Sequence, residues 1–183
     1  MPVNAETQKA LMGVVENLGT AKFGLGESET VGVQEIINDN SDNPSYVLLD
    51  ARSEEERNVS MIAGAITKDD FLVNPDKYKD STVVCYCTVG YISGACTLEL
   101  RNQGHLNVKN MGDGALLGYT LHKTSAGVSK PLVKADGSAT NDVHTFMDDL
   151  APLAGEGMVG KSFADPPAVL EAANAAIREK LGV

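Results

Sequence analysis

Cys87 ends the apolar run Val83-Val84-Cys85-Tyr86-Cys87, and Thr88-Val89-Gly90-Tyr91-Ile92-Ser93-Gly94 follows at once, leading into a helix-like stretch. A thiol at the point where a buried strand turns into a helix N-terminus meets backbone N–H groups without intrahelical partners. These favour the thiolate, the nucleophilic form of sulfur. Gly90 permits a backbone conformation that other residues resist. Thr88, Val89, Gly90, Tyr91, Ile92 and Ser93 are therefore expected to wrap N–H groups around the sulfur as a substrate-binding cradle. Such a cradle stabilises a thiolate, a persulfide or an oxyanion. Position alone is equally compatible with a buried, inert cysteine, a common fate of this residue type.

The other candidates are weaker. Asp50 and Arg52 end a short strand pattern at the same sheet edge as Cys87. A structural pair that ties the strand end to the neighbouring loop is the preferred reading, with ordering of the site loop or supply of positive charge as the alternative. Cys85 shares the strand parity of Cys87 two residues deeper in the sheet, and Cys96 lies early in the following helix, where a turn toward Cys87 would make it a resolving thiol. Core packing is preferred for both. Only Cys85, Cys87, Cys96 and the distant His105 are available for a metal, so no metal site and no cofactor are expected. His122 and His144 fall in the C-terminal tail, within reach of the mouth of the site or, by preference, solvated or satisfied in the core.

These residues need a sheet edge and a helix to hold them. Tyr46-Val47-Leu48-Leu49-Asp50 and Val83 to Cys87 are continuous apolar runs without alternation, the pattern of parallel strands buried on both faces. Met61 to Ile66 and Leu106 to Asn110 are further strand candidates, and Ser93 to Gln103 reads as a helix closed by Gly104. At the N-terminus, Leu11, Val14, Val15 and Leu18 form a helical stripe from about Ala5 that stops at Gly19. Thr20 to Ser28 reads as a linker, Val31 to Asp39 as a short helix, and Asn38 to Pro44 as a polar loop. Beyond His122, Pro131-Leu132-Val133 and Val143-His144-Thr145-Phe146 are extended pieces around a turn at Asp136-Gly137. Asp165-Pro166-Pro167 then opens a final helix with a stripe from Val169 to Leu181.

A net charge of −10 and a pI near 4.7 argue against nucleic acid and anionic membrane as partners, since both select clustered basic surfaces. Three cysteines, two of them in one strand, do not read as a disulfide framework, and a reducing, cytoplasmic setting fits them. An organelle reached after transit-peptide removal fits them as well. No stretch approaches the roughly 20 apolar residues of a membrane span, and the first residues lack a signal core.

Several motifs occur together in register: Val47-Leu48-Leu49-Asp50-Ala51-Arg52-Ser53, then Glu55 or Glu56, then Ala63-Gly64-Ala65-Ile66, then Tyr86 to Ser93, then Asp113-Gly114-Ala115-Leu116-Leu117-Gly118-Tyr119. In this order and spacing the chain resembles a single-domain rhodanese over roughly residues 27–122, and the tail pieces resemble an extension found in some single-domain members. The resemblance implies an α/β rhodanese-like fold: a central parallel five-stranded sheet flanked by helices on both faces, with an N-terminal helix and a C-terminal extension ending in a helix. The expected organisation is one domain over 1–183, with its core at about 27–122 and an extension over 123–183. It also implies a sulfurtransferase in which Cys87 takes sulfane sulfur from thiosulfate or a persulfide, small-molecule or protein-borne, and passes it to a thiophilic acceptor.

The chain departs from that family at Ile92, where members commonly carry arginine or a smaller polar residue. An isoleucine cannot meet an anionic donor or help ionise the thiol, which favours a persulfide donor over thiosulfate, or a module that only binds. Tyr119 stands where many members have tryptophan, and the segment Ser60 to Ala65 lacks a histidine often found there. Cysteine-dependent phosphatase or arsenate reductase chemistry needs a loop arginine, and no arginine or lysine occurs between Lys79 and Arg101.

Overall fold

The computed structural model describes residues 5–15, 18–39, 45–124, 127, 130–163, 175 and 178–179. In chain order its elements begin with α1 (Ala5–Val15), α2 (Leu18–Lys22), β1 (Thr30–Val31), α3 (Val33–Asn38), β2 (Tyr46–Asp50) and α4 (Glu54–Val59). There follow β3 (Met61–Ile62), β4 (Ile66–Thr67), α5 (Lys68–Val73), β5 (Thr82–Tyr86), α6 (Tyr91–Asn102), β6 (Val108–Met111) and α7 (Ala115–Leu121). The C-terminal part adds β7 (Leu132–Val133), β8 (Ala139–Thr140), β9 (Asp142–His144) and β10 (Val159–Lys161).

Five strands form a parallel sheet in the order β1-β6-β5-β2-β4, so β5 is central and Cys87 leaves its C-terminal end. β2 and β5 run in register from Tyr46 opposite Thr82 to Asp50 opposite Tyr86, which brings the ends of the two apolar runs to one edge. The side chains of β5 alternate between two cores. Val83 and Cys85 pack with Leu49, Phe71, Cys96 and Leu100 under α5 and α6, while Val84 and Tyr86 face the cluster built by α3, α7, α1 and the C-terminal extension. Each fully buried Val or Leu in these layers contributes about 1.5–3 kcal/mol of transfer free energy, which is why the runs do not alternate with polar residues.

The sheet and its helical layers agree with the architecture that the resemblance implies, and the differences are local. Met61 to Ile66 is not one strand: β3 joins an antiparallel sheet with β7 and β8, whereas β4 is the edge of the main sheet. The hairpin β7–β8 closes through Gly137, whose N–H donates to the Lys134 carbonyl, matching the turn read at Asp136-Gly137. The expected helix over Val31 to Asp39 is shortened by the edge strand β1, which two residues are too few to announce. The helix expected from Ser93 begins at Tyr91, because Gly90 at φ 88° already serves as its cap. Gly19 does not stop a helix but lies inside α2, and the expected linker over Thr20 to Ser28 begins as helix. The final helix expected after Asp165 and most of the polar loop before Ser45 lie outside the described residues. Among the described residues no helix is long and apolar enough to cross a membrane.

Candidate active site

Cys87 lies between the end of β5 and the start of α6 and is 1% exposed. The Gly90 N–H donates to its Sγ at 3.2 Å, and the left-handed conformation of Gly90 is what turns that N–H inward. The Ser93 hydroxyl lies 3.6 Å from Sγ but also donates to Asn110 Oδ1 at 2.7 Å. With one proton to give, it serves Asn110 while the sulfur is neutral and can swing to a sulfur that gains charge. Asn110 Nδ2 in turn donates to the Gly90 carbonyl at 3.4 Å, so β6 steadies both ends of the loop. From α7, the Leu116 and Leu117 N–H groups donate to the carbonyls of Cys87 and Thr88.

The electrostatic balance at the sulfur reverses one expectation. Burial pushes the Cys87 thiol above its ordinary value of 9.0, outweighing the Ser93 N–H and hydroxyl and the Val89 N–H that pull it down, and the nearby Glu56 carboxylate adds to the rise. Helix-terminal N–H groups favour a thiolate, but here desolvation dominates. Alkylation of Cys87 by iodoacetamide is therefore expected to keep accelerating as pH is raised past 9.0, and a plateau below that value would contradict this balance. The linkage has a definite sign. A thiol raised in the folded state contributes stability that is fully present below its unfolded value and is lost as pH climbs through the folded one.

The hydrogen bonds to Sγ come from the Gly90 N–H and the Ser93 hydroxyl, with the Val89 and Ser93 N–H groups also acting on the sulfur. The Thr88 hydroxyl is buried 3.5 Å from His144 Nδ1, Val89 enters the α3–α7 cluster, and Tyr91 and Ile92 pack at that cluster's edge. The Tyr91 ring also meets Phe23 edge-on at 5.4 Å.

Asp50 and Arg52 form a fully buried ion pair at 2.6 Å. The Arg52 Nε donates to Asp50 Oδ1 and its Nη2 to Asp50 Oδ2 and the Ser60 carbonyl. The Tyr86 hydroxyl donates to Asp50 Oδ2 at 2.6 Å and accepts from the Ile62 N–H, and Arg57 donates to the Arg52 carbonyl. Burial opposes the Arg52 charge, but the Asp50 carboxylate more than offsets it and holds the guanidinium ionised. With the charges spent on each other, on the Ser60 carbonyl and on the Tyr86 hydroxyl, this is a tie between strand end and neighbouring loop.

His144 was one of two tail histidines within reach of the site, and it is the one that arrives. It is fully buried, with Nδ1 3.0 Å from Glu56 Oε1 and its ring 4.6 Å from Phe163. That 3.0 Å approach is not aligned as a hydrogen bond. Ser53 caps α4 by accepting from the Glu56 N–H and donating its own N–H to Glu56 Oε2, which leaves Oε1 for His144. Burial alone would raise the Glu56 carboxyl, yet His144 and Ser53 hold it below its ordinary range. His122 instead accompanies its own helix, with Nδ1 2.7 Å from the Gly118 carbonyl. Cys96 lies against Cys85 in the α5–α6 core, each influencing the other's ionisation, and not beside Cys87. Tyr119 lines a cavity of about 390 Å³ near the start of β2, and burial pushes its hydroxyl up to about 12.

Sequence reasoning missed Asn110 and the Tyr86 hydroxyl. A polar side chain inside a short strand pattern was the available signal for Asn110; its partners, Ser93 and Gly90, are far from it in sequence.

A family model described as a rhodanese-like domain matches residues 33–116. A comparison with curated proteins finds no match. Among solved structures, a rhodanese-related protein from Thermoplasma volcanium is 22% identical with a TM-score of 0.38, covering 48% of this chain and 86% of that one. A thiosulfate sulfurtransferase from Pseudomonas aeruginosa is 19% identical with a TM-score of 0.45, covering 91% of this chain and 27% of that one. An NAD-dependent persulfide reductase from A. fulgidus is 25% identical with a TM-score of 0.36, covering 54% of this chain and 17% of that one. Over residues 33–116, with Cys87 at the end of the central strand, the chain matches the rhodanese-like domain family.

Proposed function

We propose that the protein is a sulfurtransferase that carries sulfane sulfur on Cys87. The Cys87 thiolate attacks the outer sulfur of a persulfide or of thiosulfate. The new S–S bond forms as the donor's own bond breaks, and the donor leaves as a thiolate or as sulfite. An acceptor thiolate or cyanide then attacks the terminal sulfur and returns Cys87 to its thiolate. The observation that carries this reading is the inward N–H of Gly90, 3.2 Å from Sγ at the end of the central strand. A preorganised donor there stabilises the charge that Sγ carries as the attacking thiolate and again as the leaving thiolate, without reorganisation at the moment of transfer. Three unpaired cysteines support a reducing, cytoplasmic or organellar setting, and packing of α1 and the extension onto the same core supports one folding unit over 1–183.

The test is intact-mass measurement after incubation with thiosulfate or glutathione persulfide, with a gain of one sulfur that cyanide removes as the expected result. No uptake from either donor would favour a binding module instead, a reading supported by the burial of Cys87 and by Ile92.

Ile92 bears on the donor. It is half-buried at the edge of the α3–α7 cluster, and among the described residues no cation makes a hydrogen bond to Sγ. Ile92→Arg is expected to raise kcat/KM for thiosulfate about tenfold relative to glutathione persulfide, since a guanidinium pairs with the sulfonate-like end of thiosulfate. An equal change for both donors would remove this account of the position.

A further inference from the structure

Cys87 lies at the sheet edge where loops normally open to solvent, yet it is 1% exposed. The N-terminal segment packs against the loop that follows Cys87. A Cβ on Gly19 of α2 would fall 1.8 Å from the Gly90 carbonyl oxygen and 3.0 Å from the Tyr91 Cα, so α2 lies directly on the cradle loop. In the first turn of α6, a Cβ on Gly94 would fall 2.9 Å from the Phe23 ring and 3.1 Å from the Gly19 backbone. Thr20 accepts from the same Asn110 Nδ2 that holds the Gly90 carbonyl, at 3.5 Å, and Phe23 meets Tyr91. From α1, Met12 sits against Gly114 at the start of α7, and Gln8 donates to the Pro152 carbonyl. Val15 and Leu18 are buried in the cluster that takes in Val89 and Ala115, with Tyr91 and Ile92 at its edge. Phe23 thus holds Tyr91 against the N-terminal segment, and Val89 and Ile92 belong to the same apolar cluster as Val15 and Leu18.

Resting on the persulfide role proposed for Cys87, we infer that α1 and α2 form a lid that closes the cradle and must lift before donor or acceptor reaches the sulfur. Glycine at 19 and 94 permits backbone-to-backbone closure, and release takes Val15 and Leu18 out of the cluster they share with Val89 while the α5–α6 core stays closed. Between transfers the closed lid keeps water and stray thiols from the persulfide.

The experiment reads access and not catalysis. Native protein is treated with iodoacetamide, whose carbon is attacked by the Cys87 thiolate with loss of iodide, and the rate at each cysteine is followed by peptide mass spectrometry. Gly19→Leu places a side chain where the Gly90 carbonyl lies, although leucine is the better helix former. Cys87 is expected to react at least about tenfold faster, on the local-opening argument, while Cys85 and Cys96, buried in the other core, stay protected. Phe23→Ala, which removes only the contact with Tyr91 and Gly94, is the milder second variant and should give a several-fold, Cys87-selective rise. If neither variant accelerates Cys87, or if all three cysteines accelerate together in both, the lid is refuted. Sulfur uptake is measured separately, so a protein that opens on Gly19→Leu but takes up no sulfur would retain the lid and lose the sulfurtransferase reading.

Discussion

Cys87→Ala is expected to abolish sulfur uptake and to lower transfer to cyanide by at least about a thousandfold, because the proposed mechanism places the covalent intermediate on this thiol. Its neighbours in sequence do not substitute for it. Cys85 is fully buried under α5 and α6, and Cys96 lies in that same core, so Cys85→Ala and Cys96→Ala are expected to retain uptake. The loop makes the contrast sharper. The Gly90 N–H and the Ser93 hydroxyl address the Cys87 sulfur, and neither makes a hydrogen bond to Cys85 or Cys96. Intact-mass measurement on the three variants checks this. Uptake by Cys87→Ala at the parent level would place the sulfur on another residue and end the proposed mechanism, whereas uptake lost in all three would point to a folding effect.

The second large effect concerns stability. Asp50→Ala leaves the Arg52 guanidinium fully buried with its carboxylate gone, and leaves the Tyr86 hydroxyl without its acceptor. Breaking a buried pair in this way costs about 3–5 kcal/mol, since the remaining charge keeps its desolvation penalty. For a chain of this size that corresponds to a fall in Tm on the order of 10 °C. Thermal unfolding followed by circular dichroism measures it. Replacing both partners, Asp50→Leu with Arg52→Met, should recover most of the loss, because the penalty belongs to the orphaned charge and not to the absence of a salt bridge. A double variant as unstable as Asp50→Ala would mean that the pair's geometry, with its reach to Ser60 and Tyr86, matters more than charge burial.

The parts of the fold that were legible share one physical origin. β2 and β5 are continuous apolar runs because both faces of a parallel sheet are covered, and that requirement is written residue by residue. α6 was legible for a similar reason, its C-terminal glycine included, although its start moved to Tyr91 once Gly90 took the cap. The short pieces were not. β1 and β3 have two residues each, too few for any period, and their partners β6 and β7 are distant in sequence. Gly19 illustrates the same limit. Read locally, glycine after an apolar stripe ends a helix, but in the structure it sits within α2 because another segment's carbonyl approaches it.

The site divides along the same line. Sequence by itself determined that a cysteine would stand at a strand-to-helix turn, that a glycine three residues on would allow an N–H cradle, and that Ile92 would bring no charge there. Those are consequences of residue type and near-neighbour spacing, which one stretch of chain contains in full. Tertiary structure decided how acidic the sulfur is, since burial acts over the whole surrounding shell and outweighs the local N–H groups. It also decided that Asn110, Glu56 and His144 would gather around the loop and that α2 would pack against it. These contacts join residues tens of positions apart, and their geometry depends on how the layers pack.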